Sequence, residues 1–93
     1  MKVNICGIPH EVIEKQDVFN SDTTHFGQID YVACEITLNK NMPSELKIQT
    51  LIHEMLHGIF THLGYEELAC DEKLITTLAT AMSQGFLVRR YQE

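Results

Sequence analysis

The sequence predicts an α+β fold, in which two N-terminal hairpins form a small antiparallel sheet that packs on two C-terminal helices. Two observations predict it: short alternating apolar runs fill the chain before residue 40, and apolar residues follow the helical period after residue 43. No repeat or linker divides the sequence, and 93 residues with 44% hydrophobic content suit one globular unit. A single domain over residues 1–93 is therefore expected.

The first half contains two predicted hairpins separated by a polar loop. The first hairpin turns near residues 7–9, where a glycine and a proline lie, and the second turns near Ala33 and Cys34. Residues 16–26 are mostly polar and predict the loop between them. The predicted strands cover residues 3–5, 10–15, 28–32 and 35–38.

The second half is predicted to form two helices. Pro43 and Ser44 before Glu45 predict the start of the first helix, with Ser44 as its N-cap and Glu45 in the first turn, where acidic side chains are favoured. Gly64 predicts its end, because glycine readily adopts the left-handed conformation that terminates helices. The apolar face of this helix is expected to contain Ile48, Leu51, Ile52, Met55, Leu56, Ile59, Phe60 and Leu63. A second helix is expected to begin near residues 70–72 and to bury Leu74, Ile75, Leu78, Ala79, Met82 and Phe86.

Charge and cysteine content restrict the functional classes. Seven Lys and Arg residues against 13 Asp and Glu give a net charge of −6, which argues against nucleic acid as a partner. No apolar run approaches the roughly 20 residues of a membrane span, and no apolar segment of a signal peptide follows Lys2. The three cysteines have no paired spacing, so reduced thiols in a cytoplasmic protein are expected.

The motif that carries chemistry is HExxH, formed by residues 53–57. A helix turns about 100° per residue, so His53 and His57 lie roughly 40° apart on one face and both imidazoles can reach one metal ion. Glu54 lies about 60° around from His57, where it can act as general base on a metal-activated water without ligating the metal. Composition predicts only about 0.025 chance occurrences of this motif. The pattern predicts a zinc site with Glu54 as the catalytic base.

A third metal ligand is expected on the second helix. The first helix continues for roughly 9 Å past His57 before Gly64 reverses the chain, so an antiparallel helix brings its first turns back towards the histidines. Glu72 is the expected ligand, and its neighbour Asp71 is the alternative. His62 lies about 140° around the helix from His57 and is expected to face away from the metal.

Two segments resemble a known family. Residues 50–59 (TLIHEMLHGI) and 72–79 (EKLITTLA) are similar to the compact zinc peptidases of phages and mobile elements that are related to the ImmA/IrrE group. In that family, a Glu seven residues before an Ala on the helix after HExxH supplies the third ligand. Glu72 and Ala79 share that spacing, whereas Thr76 and Thr77 replace the Asn common in the larger members.

The resemblance implies a fold and a function. It implies a minimal zincin-like fold with Zn²⁺ bound by His53, His57 and Glu72. The implied activity is that of an endopeptidase of narrow specificity, with a phage or host regulatory protein, such as a repressor, as its substrate. Independently of the resemblance, His25, Tyr31 and Tyr65 are the candidates for a side chain that helps to stabilise the oxyanion. The strand over residues 35–39, if it forms the sheet edge, is expected to pair with an extended substrate.

Two other functions compete with this interpretation. The first is a catalytically silent metal-binding module that acts through protein interactions, since 93 residues leave little material for substrate subsites. The second is a metal-dependent nuclease, because residues 62–65 (HLGY) resemble part of a segment of the bacterial rRNA-maturation metalloproteins. In that segment Asp-His stands where this chain has Glu66 and Glu67, and the net charge also disfavours a nucleic-acid substrate.

Gly58, directly after the second histidine, is unusual inside a helix. Glycine there costs about 1 kcal/mol relative to alanine, so a local reason for the missing side chain is expected. One hypothesis is that the missing Cβ lets a sheet strand or a substrate backbone approach the metal. The alternative is a tolerated surface position.

Overall fold

Four strands precede three helices along the chain. The computed structural model of the protein describes residues 1–16 and 26–91, with the side chains of the last helix described to residue 84. The elements are β1 (Lys2–Ile5), β2 (Ile8–Lys15), β3 (Gly27–Asp30), β4 (Glu35–Asn39), α1 (Ser44–His62), α2 (Glu66–Ala69) and α3 (Glu72–Tyr91). The predicted α+β architecture is confirmed. Most of the predicted loop and the side chain of Phe86 lie outside the described residues.

The four strands form one sheet in the order β1-β2-β4-β3. Each hairpin is antiparallel, but β2 and β4 are parallel, with Glu11 opposite Glu35 and Lys15 opposite Asn39. The prediction of a wholly antiparallel sheet is therefore wrong at this junction. Because β3 takes the outer position, the second hairpin presents β4 to β2 in the same direction.

The strand order also corrects the predicted sheet edge. Strand β4 pairs with β2 on one side and β3 on the other, so residues 35–39 are central and offer no free edge. Strand β3 is an outer strand instead, and it contacts α1. Within the described residues, its outer edge has no strand partner. An extended peptide can therefore pair with β3 but not with β4.

Two turns explain where the strands begin and end. Cys6 and Gly7 have φ values of 51° and 83°, so the first hairpin uses a two-residue turn with both residues in the left-handed region. The Asp30 carboxylate accepts hydrogen bonds from the backbone N–H groups of Val32 and Ala33, both at 3.0 Å. This Asx turn ends β3 at Asp30, before the predicted boundary, and leaves Val32 exposed.

Helix α1 lies between the sheet and α3 and packs against both. Two apolar stripes, offset by one residue, make these contacts, as the helical period predicts. One stripe joins the sheet residues Ile5, Ile36 and Leu38 through Leu51, Met55 and Ile59. The other joins the α3 residues Ile75, Leu78, Ala79 and Met82 through Ile52, Leu56 and Phe60. Ile48 and Leu63, which were expected on the apolar face, are exposed.

The start of α1 differs from the prediction and its end agrees with it. Pro43 occupies the N-cap position, and no side chain caps this end, so Ser44 is the first helical residue rather than the cap. At the other end Gly64 has φ of 85°, and the N–H of Tyr65 donates to the Phe60 carbonyl at 2.8 Å. This is the Schellman arrangement that a C-terminal glycine favours.

The reversal from α1 to α3 contains an unpredicted element. The short helix α2 lies between the two predicted helices, where no element was predicted, and its last residue, Ala69, is buried. The long helix α3 begins at Glu72, and the Asp71 side chain caps it by accepting the N–H of Leu74 at 3.1 Å. None of the described helices combines the length and apolarity that crossing a membrane requires.

Gly58 lies where sheet side chains approach α1. A Cβ built on Gly58 would lie 3.0 Å from Cδ1 of Ile5 and 3.2 Å from Cδ1 of Ile29. These contacts are tighter than ordinary van der Waals separation, and the approaching atoms belong to the sheet. Gly58 is therefore a buried position that side chains of the sheet approach closely, and not a surface position. Approach of a backbone to the metal stays a hypothesis.

Substitution of Gly58 should test this packing. Gly58→Ala is expected to leave the free energy of unfolding nearly unchanged, because the helix-propensity gain of about 1 kcal/mol is offset by displacement of Ile5. Gly58→Leu is expected to destabilise by about 1–3 kcal/mol through overpacking. Chemical denaturation measures both. The control, Ala81→Leu, adds similar bulk at an exposed position of α3 and should change stability by less than about 0.5 kcal/mol. A stabilised Gly58→Leu variant would contradict the packing argument.

Candidate metal centre

The two histidines of HExxH and the first residue of α3 converge on one point. One side-chain ligand atom from each of His53, His57 and Glu72 lies within 4.8 Å of the others. The Nε2 atoms of the two histidines are 3.3 Å apart. The Glu72 carboxylate lies 3.2 Å from Nε2 of His53 and 2.8 Å from Nε2 of His57. The structure thus brings together the three residues that the sequence predicted as ligands.

These separations fit the donor set of a tetrahedral zinc ion. Ligand atoms that lie about 2.0–2.1 Å from such an ion are about 3.3 Å from each other. The separation of the two Nε2 atoms, 3.3 Å, matches that value. The two oxygens of the Glu72 carboxylate each contact one imidazole, Oε2 at 3.2 Å from His53 and Oε1 at 2.8 Å from His57. Two imidazoles and one carboxylate are also a common ligand set of catalytic zinc.

A backbone carbonyl orients the second histidine. Nδ1 of His57 lies 2.7 Å from the carbonyl oxygen of Ala69 at the end of α2. Because a carbonyl oxygen only accepts, Nδ1 donates this hydrogen bond, and Nε2 is left facing the Glu72 carboxylate. Two electron-pair donors 2.8 Å apart repel each other unless a proton or metal ion lies between them. Either a proton or a metal ion can therefore bridge Nε2 of His57 and the carboxylate.

The first histidine is half-buried, and this affects its protonation. Burial lowers the pKa of His53 below its ordinary value, and the neighbouring His57 lowers it further, while the charge of Glu72 and its hydrogen bond act in the opposite direction. The net effect favours the neutral imidazole, which is the form that binds metals.

His53, His57 and Glu72 line a cleft of about 730 Å³ between β3, α1 and α3. Glu54, the predicted catalytic base, lines this cleft although its side chain is mostly buried in the fold. The Glu72 side chain is 64% exposed, so solvent reaches the centre from the α3 side. A carboxylate of the predicted kind therefore borders the same accessible space as the three donors.

Comparison with known proteins gives no match. No family model, curated protein or solved structure is significantly similar to the chain. The argument for a function therefore depends on the geometry of the cleft and its residues.

The other residues considered from the sequence lie elsewhere or have other roles. Asp71, the alternative third ligand, is the N-cap of α3 and does not belong to the converging group. His62 packs edge-on against the rings of His10 and Tyr31, away from the three donors. Of the suggested oxyanion donors, Tyr31 lines the cleft, whereas Tyr65 does not. His25 lies outside the described residues.

Sequence reasoning missed the carbonyl of Ala69. Every residue has a backbone carbonyl, so the residue type does not show which carbonyl will accept a hydrogen bond. The short helix that positions this carbonyl was also not predicted. The sequence shows only a small residue, Ala69, three positions before the expected ligand, and that is a weak signal.

Metal binding should depend on the converging residues and not on Asp71. The purified protein is expected to bind about one zinc per chain, and His53→Ala and His57→Ala should each abolish this binding. Glu72→Ala should weaken zinc affinity strongly because it removes the third donor. Elemental analysis and competition with a zinc-binding dye measure these effects.

Asp71→Ala is the matched control, because it removes a neighbouring carboxylate. It is expected to cost about 1 kcal/mol of stability through the lost cap while leaving zinc stoichiometry unchanged. If Asp71→Ala lost zinc and Glu72→Ala retained it, the assignment of the third ligand would be wrong.

Proposed function

We propose that the protein is a zinc-dependent endopeptidase of the compact zincin-like kind that its sequence resembles. The observation that carries the proposal is the convergence of His53, His57 and Glu72 on an accessible cleft that Glu54 also lines. Three protein donors, rather than the four of a closed structural zinc site, are found together among the described residues. A set of three leaves a coordination position for the reaction, as in catalytic zinc sites.

The residues of the cleft divide the chemistry between them. When bound, zinc supplies Lewis-acid chemistry: it lowers the pKa of a water to about 7 and polarises a peptide carbonyl. Glu54 accepts the proton of the attacking water and delivers it to the leaving amine. The phenol of Tyr31 borders the same cleft, and the Thr61 hydroxyl donates to its oxygen at 3.3 Å. The phenolic hydrogen is then free to point towards an oxyanion.

The substrate in this proposal is an extended segment of a protein. Strand β3 borders the cleft with three of its residues, and its outer edge has no strand partner among the described residues. An extended peptide that pairs with this edge would pass in front of His53 and His57, with its backbone amides held by β3. A substrate that must both pair with this strand and reach the cleft has to be extended at the cleaved segment, which favours a narrow range of protein substrates. A phage or host regulatory protein remains the proposed class.

Replacement of the base separates catalysis from metal binding. Glu54→Gln preserves the shape of the side chain but removes its ability to accept a proton. Zinc content and thermal stability are expected to survive, while peptide cleavage should fall by about 10²–10⁴-fold. A proteome-derived peptide library, with cleavage products quantified by mass spectrometry, provides the substrate mixture and the readout.

The metal-free variant His57→Ala is the control for this comparison, and it should lose cleavage together with zinc. Equal cleavage by Glu54→Gln and the unchanged protein would contradict the assigned base. If a biological effect of the protein survives Glu54→Gln but not His57→Ala, the protein is a metal-stabilised interaction module and not a peptidase.

A further inference from the structure

The cleft extends beyond the three donors towards the N-terminus of α1. Leu46, Gln49 and Thr50 lie on the same side of this helix as His53, and all line the cleft. Leu46 precedes His53 by seven residues, so this extension is about 10 Å long. We call it the neutral arm, and it is lined by Phe26, Gly27, Leu46, Gln49, Thr50 and Thr76.

Close packing between β3 and α1 forms the floor of the neutral arm. A Cβ on Gly27 would lie only 2.8 Å from Cγ2 of Thr50 and 3.0 Å from the carbonyl oxygen of Thr37. A glycine is therefore needed for β3 to approach α1 this closely. The close contact of Gly27 with Thr50 therefore bounds the arm where β3 meets α1.

The wall on the α3 side is held by hydrogen bonds. The Gln49 amide donates to the Thr80 hydroxyl at 2.7 Å, and that hydroxyl donates to the carbonyl of Thr76 at 2.9 Å. These bonds fix the side chain of Gln49 against α3. One N–H of its amide is engaged in this way, and the amide carries no charge that could pair with an ionic ligand.

Among residues 1–16 and 26–84, whose side chains the structure describes, none that lines the neutral arm is charged. Phe26 and Leu46 are apolar, while Gln49, Thr50 and Thr76 are neutral and polar. The ionisable groups of the cleft belong to the HExxH motif, Glu72 and Tyr31. A charged side chain in the arm would lose hydration without gaining an ionic partner, whereas an aliphatic one would bury apolar surface.

We propose that the neutral arm is a specificity pocket for an uncharged, aliphatic side chain of leucine or methionine size. That side chain belongs to the substrate residue next to the bond that is cleaved. The inference rests on the proposed function, because the zinc centre determines which bond is cleaved. It adds a substrate preference that the metal donors do not contain.

Hydroxamates test this pocket without requiring cleavage. The hydroxamate group chelates zinc, and a side chain attached beside it then probes the neighbouring space. The probes are acetohydroxamate, which has no side chain, and derivatives with leucyl, lysyl or glutamyl side chains. Each side chain is presented on both sides of the chelating group, as an N-acetylamino acid hydroxamate and as a 2-substituted succinyl hydroxamate. Calorimetric titration of the zinc-loaded protein gives each Kd.

The leucyl compound of one series is expected to bind about tenfold or more tightly than acetohydroxamate, because it buries apolar surface in the arm. The lysyl and glutamyl compounds should bind no more tightly than acetohydroxamate. If acetohydroxamate binds but the leucyl compounds bind no more tightly in either series, the proposed specificity pocket is wrong, while the proposed zinc site is retained. If the protein binds neither zinc nor acetohydroxamate, the proposed function fails together with the pocket.

Variants locate the preference in the arm. Leu46→Lys places a cation in the pocket and should remove most of the leucyl advantage while making the glutamyl compound preferred over the lysyl one. Ile48→Lys is the matched control, because it makes the same charge change on the same helix at a side chain that is 53% exposed and outside the cleft. Its binding profile should equal that of the unchanged protein.

Thr76→Lys is a second variant at an exposed position of the same arm, and it should shift the profile in the same direction as Leu46→Lys. It keeps the test decisive if Leu46→Lys fails to fold. If Ile48→Lys shifted the hydroxamate Kd values as much as both arm variants do, the shift would come from net charge. That result would overturn the proposal of a specificity pocket.

Discussion

The contact on which the site depends is that between the Glu72 carboxylate and the two imidazoles of α1. The distances of 3.2 and 2.8 Å require the first turn of α3 to lie against the middle of α1. Three local features ensure this: a left-handed glycine ends α1, the short helix α2 reverses the chain, and Asp71 caps α3 one residue before the ligand. Because α2 also presents the Ala69 carbonyl to His57, the reversal both delivers one donor and orients another.

Helix α1 contacts the sheet on one side and α3 on another, and it borders the cleft on a third, which explains its composition. One apolar stripe contacts the sheet and a second contacts α3, so the helix is held from two sides. The remaining direction opens into the cleft, where His53 and His57 lie. Glycine at position 58 lets the sheet approach closely enough to complete the first contact. The rigidity that a metal site needs therefore comes from packing on both sides of the helix that carries the histidines.

The parts of the structure that follow from local geometry could be predicted from the sequence. The helical period determines that His53 and His57 share one face. Residues that end or begin helices determine that α1 stops just before Gly64 and that α3 starts at Glu72. The pairing of the hairpins could not be predicted, because whether β3 or β4 lies next to β2 depends on the path of the chain between them. The role of Ala69 was hidden for another reason, since it belongs to a backbone carbonyl that any residue could supply.

The central claim, that this donor set holds zinc for catalysis, is tested most directly by zinc K-edge X-ray absorption of the zinc-loaded protein. The account predicts four nitrogen or oxygen neighbours at about 2.0–2.1 Å, with the outer-shell scattering of two imidazoles and no sulfur. Two rings correspond to His53 and His57, and the non-imidazole neighbours to Glu72 and a solvent oxygen. A sulfur neighbour at about 2.3 Å would indicate a cysteine ligand and contradict the account. A spectrum with fewer than two imidazoles would contradict it equally.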